Sequence, residues 1–141
     1  MNINKSQNWL AILLVINIIS TILHYTDNFL FFDRYPAPNW MNMHHVYIAW
    51  LLLTPFAFIG YLLYTKQKYW LAYLCLFIYS NAGAASMGHY FYGSITSMSW
   101  KMNASIALDV IAGISLDLFL FWSAFIAREW RESPKEIRDI N

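Results

Sequence analysis

Apolar and polar positions in this chain are segregated into long blocks. Residues 6–26, 44–65 and 69–91 contain no Asp, Glu, Lys or Arg, and residues 104–127 contain only Asp109 and Asp117. A helix that crosses the hydrocarbon of a bilayer needs about 20 mostly apolar residues, and each block meets that length. A soluble bundle of four such helices would have no polar outer face. The pattern therefore predicts an all-α, four-transmembrane-helix bundle of up-down-up-down topology. Its helices are expected at about residues 8–32, 43–65, 69–92 and 104–128, in a single integral membrane domain over residues 1–141.

The connections follow from local chemistry. Pro36 and Pro38 cannot continue the first helix and restrain the residues before them, so Asp33 to Trp40 is expected to be a linker. Pro55 removes a backbone donor within the second helix and crowds the carbonyl of Leu51, which predicts a kink. The short turn Lys66-Gln67-Lys68 makes helices two and three antiparallel neighbours. Small side chains from Ser80 to Gly88 let another helix come close to helix three, either within the bundle or from a second copy in a homo-oligomer. Ser133-Pro134-Lys135-Glu136 reads as a capping box opening a short cytoplasmic tail helix at about 134–140.

Charge sets an orientation. With four spans, Lys5, Lys66, Lys68, Arg128, Arg131, Lys135 and Arg138 share one side, against Arg34 and Lys101 on the other. The positive-inside rule then puts both termini in the cytoplasm. Trp9, Trp70 and Trp130 would mark one interface, with Trp40 and Trp100 at the other. Lys5 alone and the lack of a small-x-small cleavage site predict that the first block is a span and not a cleaved signal. A net charge of +1 offers no electrostatic footprint for nucleic acid, and a single cysteine, Cys75, no intrachain disulfide.

This placement gathers the ionisable residues. His24, Asp27 and Asn28 lie toward the outer end of helix one, His44 and His45 open helix two, His89 is near the outer end of helix three, and Asp109 is near the start of helix four. Asp117 lies deeper. Asn17, His24 and Asn28 share one helical face, which must look into the bundle or a wet cavity. Intramembrane ionisable groups are costly and usually functional. His24, Asp27, His89 and Asp109 are therefore the candidates for acid/base work, with Asn17, Tyr25, Asn28, Trp50 and Asp117 as candidate ligand contacts.

Two chemistries fit these side chains. His24, His89 and Asp109 could supply zinc or iron ligands, His44 and His45 with the nearby methionines could suit copper, and His24 with His89 could serve a haem as axial ligands. Alternatively the acids and histidines, with many surrounding aromatic rings, would bind a small amphiphilic or lipid-like ligand from the bilayer. A third reading is an interaction subunit whose polar stripes only set helix register.

One resemblance bears on the choice. Trp9, Asp27 late in helix one, Tyr35-Pro36 in the linker, Thr54-Pro55-Phe56, Trp70 and Ile78-Tyr79-Ser80 occur in an order that resembles the EXPERA group of four-helix membrane proteins, over roughly the first 80 residues. That group includes emopamil-binding protein and the sigma-2 receptor. The resemblance implies a lipid-facing pocket for sterol-like or cationic amphiphilic ligands, with Asp27 as the anchoring acid. The acid that it would put in helix two is absent from residues 44–65, so His24, His89, Asp109 and Asp117 would have to supply the polarity, and isomerase chemistry loses its expected partner.

Overall fold

The computed structural model describes residues 3–131, and the tail helix expected at 134–140 lies outside the described residues. Helix α1 runs Ile3–Leu30, α2 Met43–Thr65, α3 Tyr69–Ala84 and α4 Trp100–Phe121. Helix α3 tightens into a 3₁₀ segment, Ala85–Phe91, and α4 widens into a π turn, Trp122–Ala127. With these extensions, four helices among the described residues are long and apolar enough to cross a membrane.

The boundaries differ from expectation for physical reasons. Helix α1 starts earlier because no helix breaker separates its polar first residues from the apolar block. It ends at Leu30, and Tyr35 before Pro36 is extended (φ −92°, ψ 122°) as the proline requires. Helix α2 passes through Pro55. Its first turn is closed by Asn42, whose side chain accepts from the backbone N–H of His44 and His45, while the backbone N–H of Asn42 donates to Nδ1 of His45 at 3.2 Å. Helix α4 starts at Trp100, four residues before its apolar block, capped by the Ser99 hydroxyl, which accepts from the Met102 N–H.

Each helix packs against its neighbours in the chain, and α4 closes back against α1. The α3–α4 contact is backbone on backbone. A Cβ built on Gly113 would lie 2.6 Å from the Ser80 carbonyl oxygen, and one on Gly83 2.8 Å from that of Asp109. Small residues thus set this spacing. The radial distribution is inverted relative to a soluble bundle. Ile12, Val15, Ile19, Leu52, Leu74 and Leu118 are exposed, whereas Asn17, Ser20, Thr21, His24, Asp27, Asn28, Ser86 and Asp109 are buried.

One buried cluster was not legible in the sequence. Arg128 adopts a left-handed conformation (φ 53°) that turns the chain after the π turn and sends Glu129 back into the bundle. Its carboxylate accepts from the hydroxyls of Ser6 on α1, Tyr64 on α2 and Ser123 on the π turn, and Tyr73 on α3 lies 2.8 Å from the Ser123 hydroxyl. Four helices therefore meet at one acid, with no Lys or Arg partner among the described residues. Glu129→Ala should strand three hydroxyls and open a cavity, lowering unfolding free energy by about 3 kcal/mol or more, whereas Glu129→Gln should cost roughly half as much. Thermal unfolding in detergent followed by circular dichroism checks the order; equal effects would show that the node does not hold the bundle.

Candidate functional site: a polar wall between a groove and a cavity

The polar residues of α1 face two different spaces. Asp27 sits at the α4 side of the helix. Its Oδ1 accepts from Lys101 Nζ at 2.5 Å, and its Oδ2 accepts from the Tyr35 hydroxyl at 2.8 Å. The Tyr35 oxygen lies 3.2 Å from Ser105 Oγ, which in turn lies 3.4 Å from Nδ1 of His24. The His24 ring meets the His89 ring edge to face at 5.6 Å between centroids. Lys101, Asp27, Tyr35, Ser105, His24 and His89 form a continuous wall, built from α1, the linker, α4 and the 3₁₀ end of α3.

Donor and acceptor roles along this wall are constrained. A carbonyl oxygen only accepts, so His89 must donate from Nδ1 to the Pro36 oxygen at 2.7 Å. A neutral His89 then has a bare Nε2, which accepts from Asn28 Nδ2 at 2.9 Å. Asn28 is thereby oriented with its amide nitrogen toward His89, and its Oδ1 is buried with no donor among the described residues. Ser86 and His89, three residues apart on a 3₁₀ segment, stack on one side of it, so both turn into the bundle.

Tyr35 lies outside the four helical spans and is buried. Burial, and next to it the Asp27 carboxylate that its hydroxyl serves, push the phenol above its ordinary range, while the bond to Ser105 opposes the shift.

On one side of the wall is a groove of about 660 Å³ between α1 and α4. Ile16, Ile19, Leu23, Leu30 and Leu108 give it apolar sides, and Asp27, Lys101 and Ser105 lie at its polar end. A smaller vestibule of about 410 Å³ shares Asp27, Phe31 and Lys101 with it and adds Asp33 and Arg34. Lys101 is 61% exposed, and its ammonium also lies 5.1 Å from the centre of the Phe31 ring. On the other side, at the ends of α1, α2 and α3, is a cavity of about 260 Å³ whose lining includes His24, Asn28, His45 and His89.

The remaining expected residues are placed as follows. Asp109 accepts from Ser20 at 3.2 Å and from Ser86 at 2.7 Å, with no hydrogen bond or ion pair to either histidine among the described residues. Asp117 accepts from Ser80 and borders a separate aromatic groove of about 590 Å³ between α3 and α4. The Tyr25 hydroxyl donates to the Ala82 carbonyl, and Trp50 Nε1 to the Thr21 hydroxyl. Asn17 is fully buried with both amide atoms lacking partners among the described residues.

Two expected arrangements are not found. Among the described residues no three His, Cys, Asp or Glu side chains are grouped to hold a metal ion, because Asp109 is held by serines, His45 by the α2 cap and His89 by Pro36 and Asn28. His24 and His89 pack directly on each other, which leaves no slot for a porphyrin between them. Lys101 and Tyr35 were missed by sequence reasoning, since each looks like an ordinary loop residue until the linker folds over α1.

No family model, curated protein or solved structure matches the chain, so its own geometry carries the functional reading.

A phenol held in its acid form contributes stability in full below its ordinary value of 10.0 and loses it as pH rises through and beyond that value. Tyr35→Phe should therefore be less stable than the parent near neutrality by about 1 kcal/mol, from the lost bond to Asp27. It should also lose less stability than the parent above pH 10. Thermal melts across that range in one detergent test both signs, and parallel alkaline losses would remove Tyr35 from the wall.

Proposed function

We propose that this is a multi-pass membrane protein that binds a small, single-chain amphiphile in the groove between α1 and α4. The carrying observation is the groove itself: apolar along its length, on an apolar outer surface, and closed at one end by the Lys101–Asp27 pair. An acyl chain would lie against Ile19, Leu23 and Leu108, with its polar end at Lys101 beside the vestibule. The ammonium is the available contact. Both Asp27 oxygens already accept bonds, whereas Lys101 is largely exposed and has three donors. This favours a headgroup rich in acceptor oxygens, such as a carboxylate, over the cationic amphiphile that the EXPERA resemblance implies for Asp27. His24 and Ser105 back the acid from within the bundle and would hold its position.

Titration of the detergent-purified protein with ¹³C-carboxyl oleate, read by the carboxyl resonance, tests the proposal. Lys101→Gln should weaken oleate by about tenfold, the value of one charge-assisted hydrogen bond of roughly 1.5 kcal/mol. Leu108→Trp should block the groove and abolish binding. Dodecylamine binding as well as oleate, or oleate binding unchanged in Leu108→Trp, would sink this reading.

The proposal includes up-down-up-down topology with cytoplasmic termini. Support comes from the seven-to-two Lys/Arg bias and from the Glu129 node, where the start of α1, the end of α2 and the turn after α4 meet. In a Cys75→Ser background, an impermeant thiol reagent should label Thr96→Cys on intact cells and Lys68→Cys only after permeabilisation. The opposite pattern would invert the orientation.

A further inference from the structure

We infer that the groove between α3 and α4 is a docking surface for a transmembrane helix of another protein, one that carries a Lys or Arg in the middle of its span. Asp117 carries the inference. Ser80 serves one of its oxygens, Oδ1. The other, Oδ2, meets no donor among the described residues, and the sealed, unpaired side-chain atoms among those residues belong only to Asn17 and Asn28. Asp117 is half-buried and lines the groove, so Oδ2 is the oxygen that opens into it. Lys101 with Asp27 is the one ion pair among the described residues, so no cation there answers Asp117. An ionisable group within a span is costly, and such groups are almost always paired.

Depth selects the partner. Asp117 stands ten residues before Ala127, where its span ends. That is about 15 Å at 1.5 Å per residue, or about half of a hydrocarbon core of ~30 Å. The groove begins at this level. One turn away, Gly113 lies against the backbone of Ser80 and Ala84, which holds α3 and α4 together. From Asp117 the groove of about 590 Å³ runs to Phe125 and to Trp70, the second residue of α3. An amphiphile keeps its polar end at the membrane surface and its tail at the centre. This groove has the reverse order, with its acid at the centre and its aromatic end toward the surface. A helix that crosses the bilayer carries a cation to this depth on its own backbone.

The walls suit a helix as well. Leu74, Phe77, Leu118, Phe121 and Phe125 line the groove, and each is more than half exposed. They form ridges on two helices with a seam between them, into which the side chains of a third helix pack. A second copy of this chain cannot supply the cation, because its four apolar blocks contain no Lys or Arg. This seam is not the α1–α4 groove, so oleate binding and helix docking succeed or fail separately.

Two synthetic peptides of about 20 Leu and Ala residues, one with a central Lys and one with Leu in its place, test the inference. The protein carries a donor dye at Lys68→Cys in the Cys75→Ser background, the peptides carry an acceptor, and both are reconstituted in phosphatidylcholine vesicles. The Lys peptide should give saturable energy transfer at a peptide-to-lipid ratio at least tenfold lower than the Leu peptide. Asp117→Asn, which keeps an acceptor for Ser80, should remove that difference and leave oleate titration as in the parent. Leu74→Trp, at an exposed position on the groove wall, should weaken the Lys peptide by a similar factor. Equal transfer from the two peptides, or a Lys-peptide response unchanged in Asp117→Asn or in Leu74→Trp, would overturn the inference. Displacement of the Lys peptide by dodecylamine would make the occupant a small amine. Asp117-dependent transfer between donor- and acceptor-labelled copies of the protein would make it a second copy. Either result also overturns the inference. The two-peptide comparison needs no change in the groove, so it stands even if a groove variant does not fold.

Discussion

A carboxylate among apolar helices has to find its hydrogen bonds inside the bundle, and the rest of this structure depends on how that is done. The answer is mostly hydroxyl groups. Asp109 is served by Ser20 and Ser86, Asp117 by Ser80, and Glu129 by Ser6, Tyr64 and Ser123. In each case the partners come from other segments of the chain. Each acid therefore fixes helix register as well as satisfying itself, at a net worth of about 1–3 kcal/mol per bond to a charged group. Apolar side chains could not do this, because contacts between them are as favourable with lipid tails as with each other.

Asp27 is the exception that defines the site. It alone among the described acids has a Lys or Arg partner, and that partner, Lys101, is exposed. A buried acid with an exposed base couples the bundle interior to whatever occupies the groove and vestibule. The linker makes the arrangement rigid. Pro36 forces Tyr35 to be extended, which carries the hydroxyl to Asp27 and Ser105, while the carbonyl of Pro36 itself sets the tautomer of His89. A loop between two spans thus becomes the piece that joins α1, α3 and α4.

What could be read from the sequence divides along the range of the interactions. The helices were legible because block length and composition are local properties. The inward face of His24 and Asn28 was legible because helical spacing is local too. The run from Ser80 to Gly88 indicated a close approach, which Gly83 makes against α4. Glu129 was not legible, since Arg128-Glu129-Trp130-Arg131 has the composition of a solvated tail. Only the left-handed Arg128 and a hydroxyl 123 positions earlier in the chain reveal it as core. Lys101 failed in the same way. It precedes the apolar block and reads as a loop charge, and its partner is 74 positions away.

The same distinction explains why His24 and Asp27, three residues apart, do not act as a single pair. Three residues on a helix turn about 300°, so the two side chains diverge by about 60° around the axis. Here that angle is enough to set one toward the α1–α4 groove and the other toward the cavity, with Ser105 and Tyr35 bridging the gap between them. The two unpaired amides on α1 give the contrast that matters most. Asn17 and Asn28 both leave buried acceptors unmet, at a cost of about 1–3 kcal/mol each. Asn17 borders none of the cavities described above, whereas Asn28 borders one and is locked in orientation by a histidine that is itself locked. The bonds from Asn28 to His89 and from His89 to the Pro36 carbonyl tie the end of α1 to the linker and to the 3₁₀ end of α3, so this amide fixes register even with its oxygen unmet.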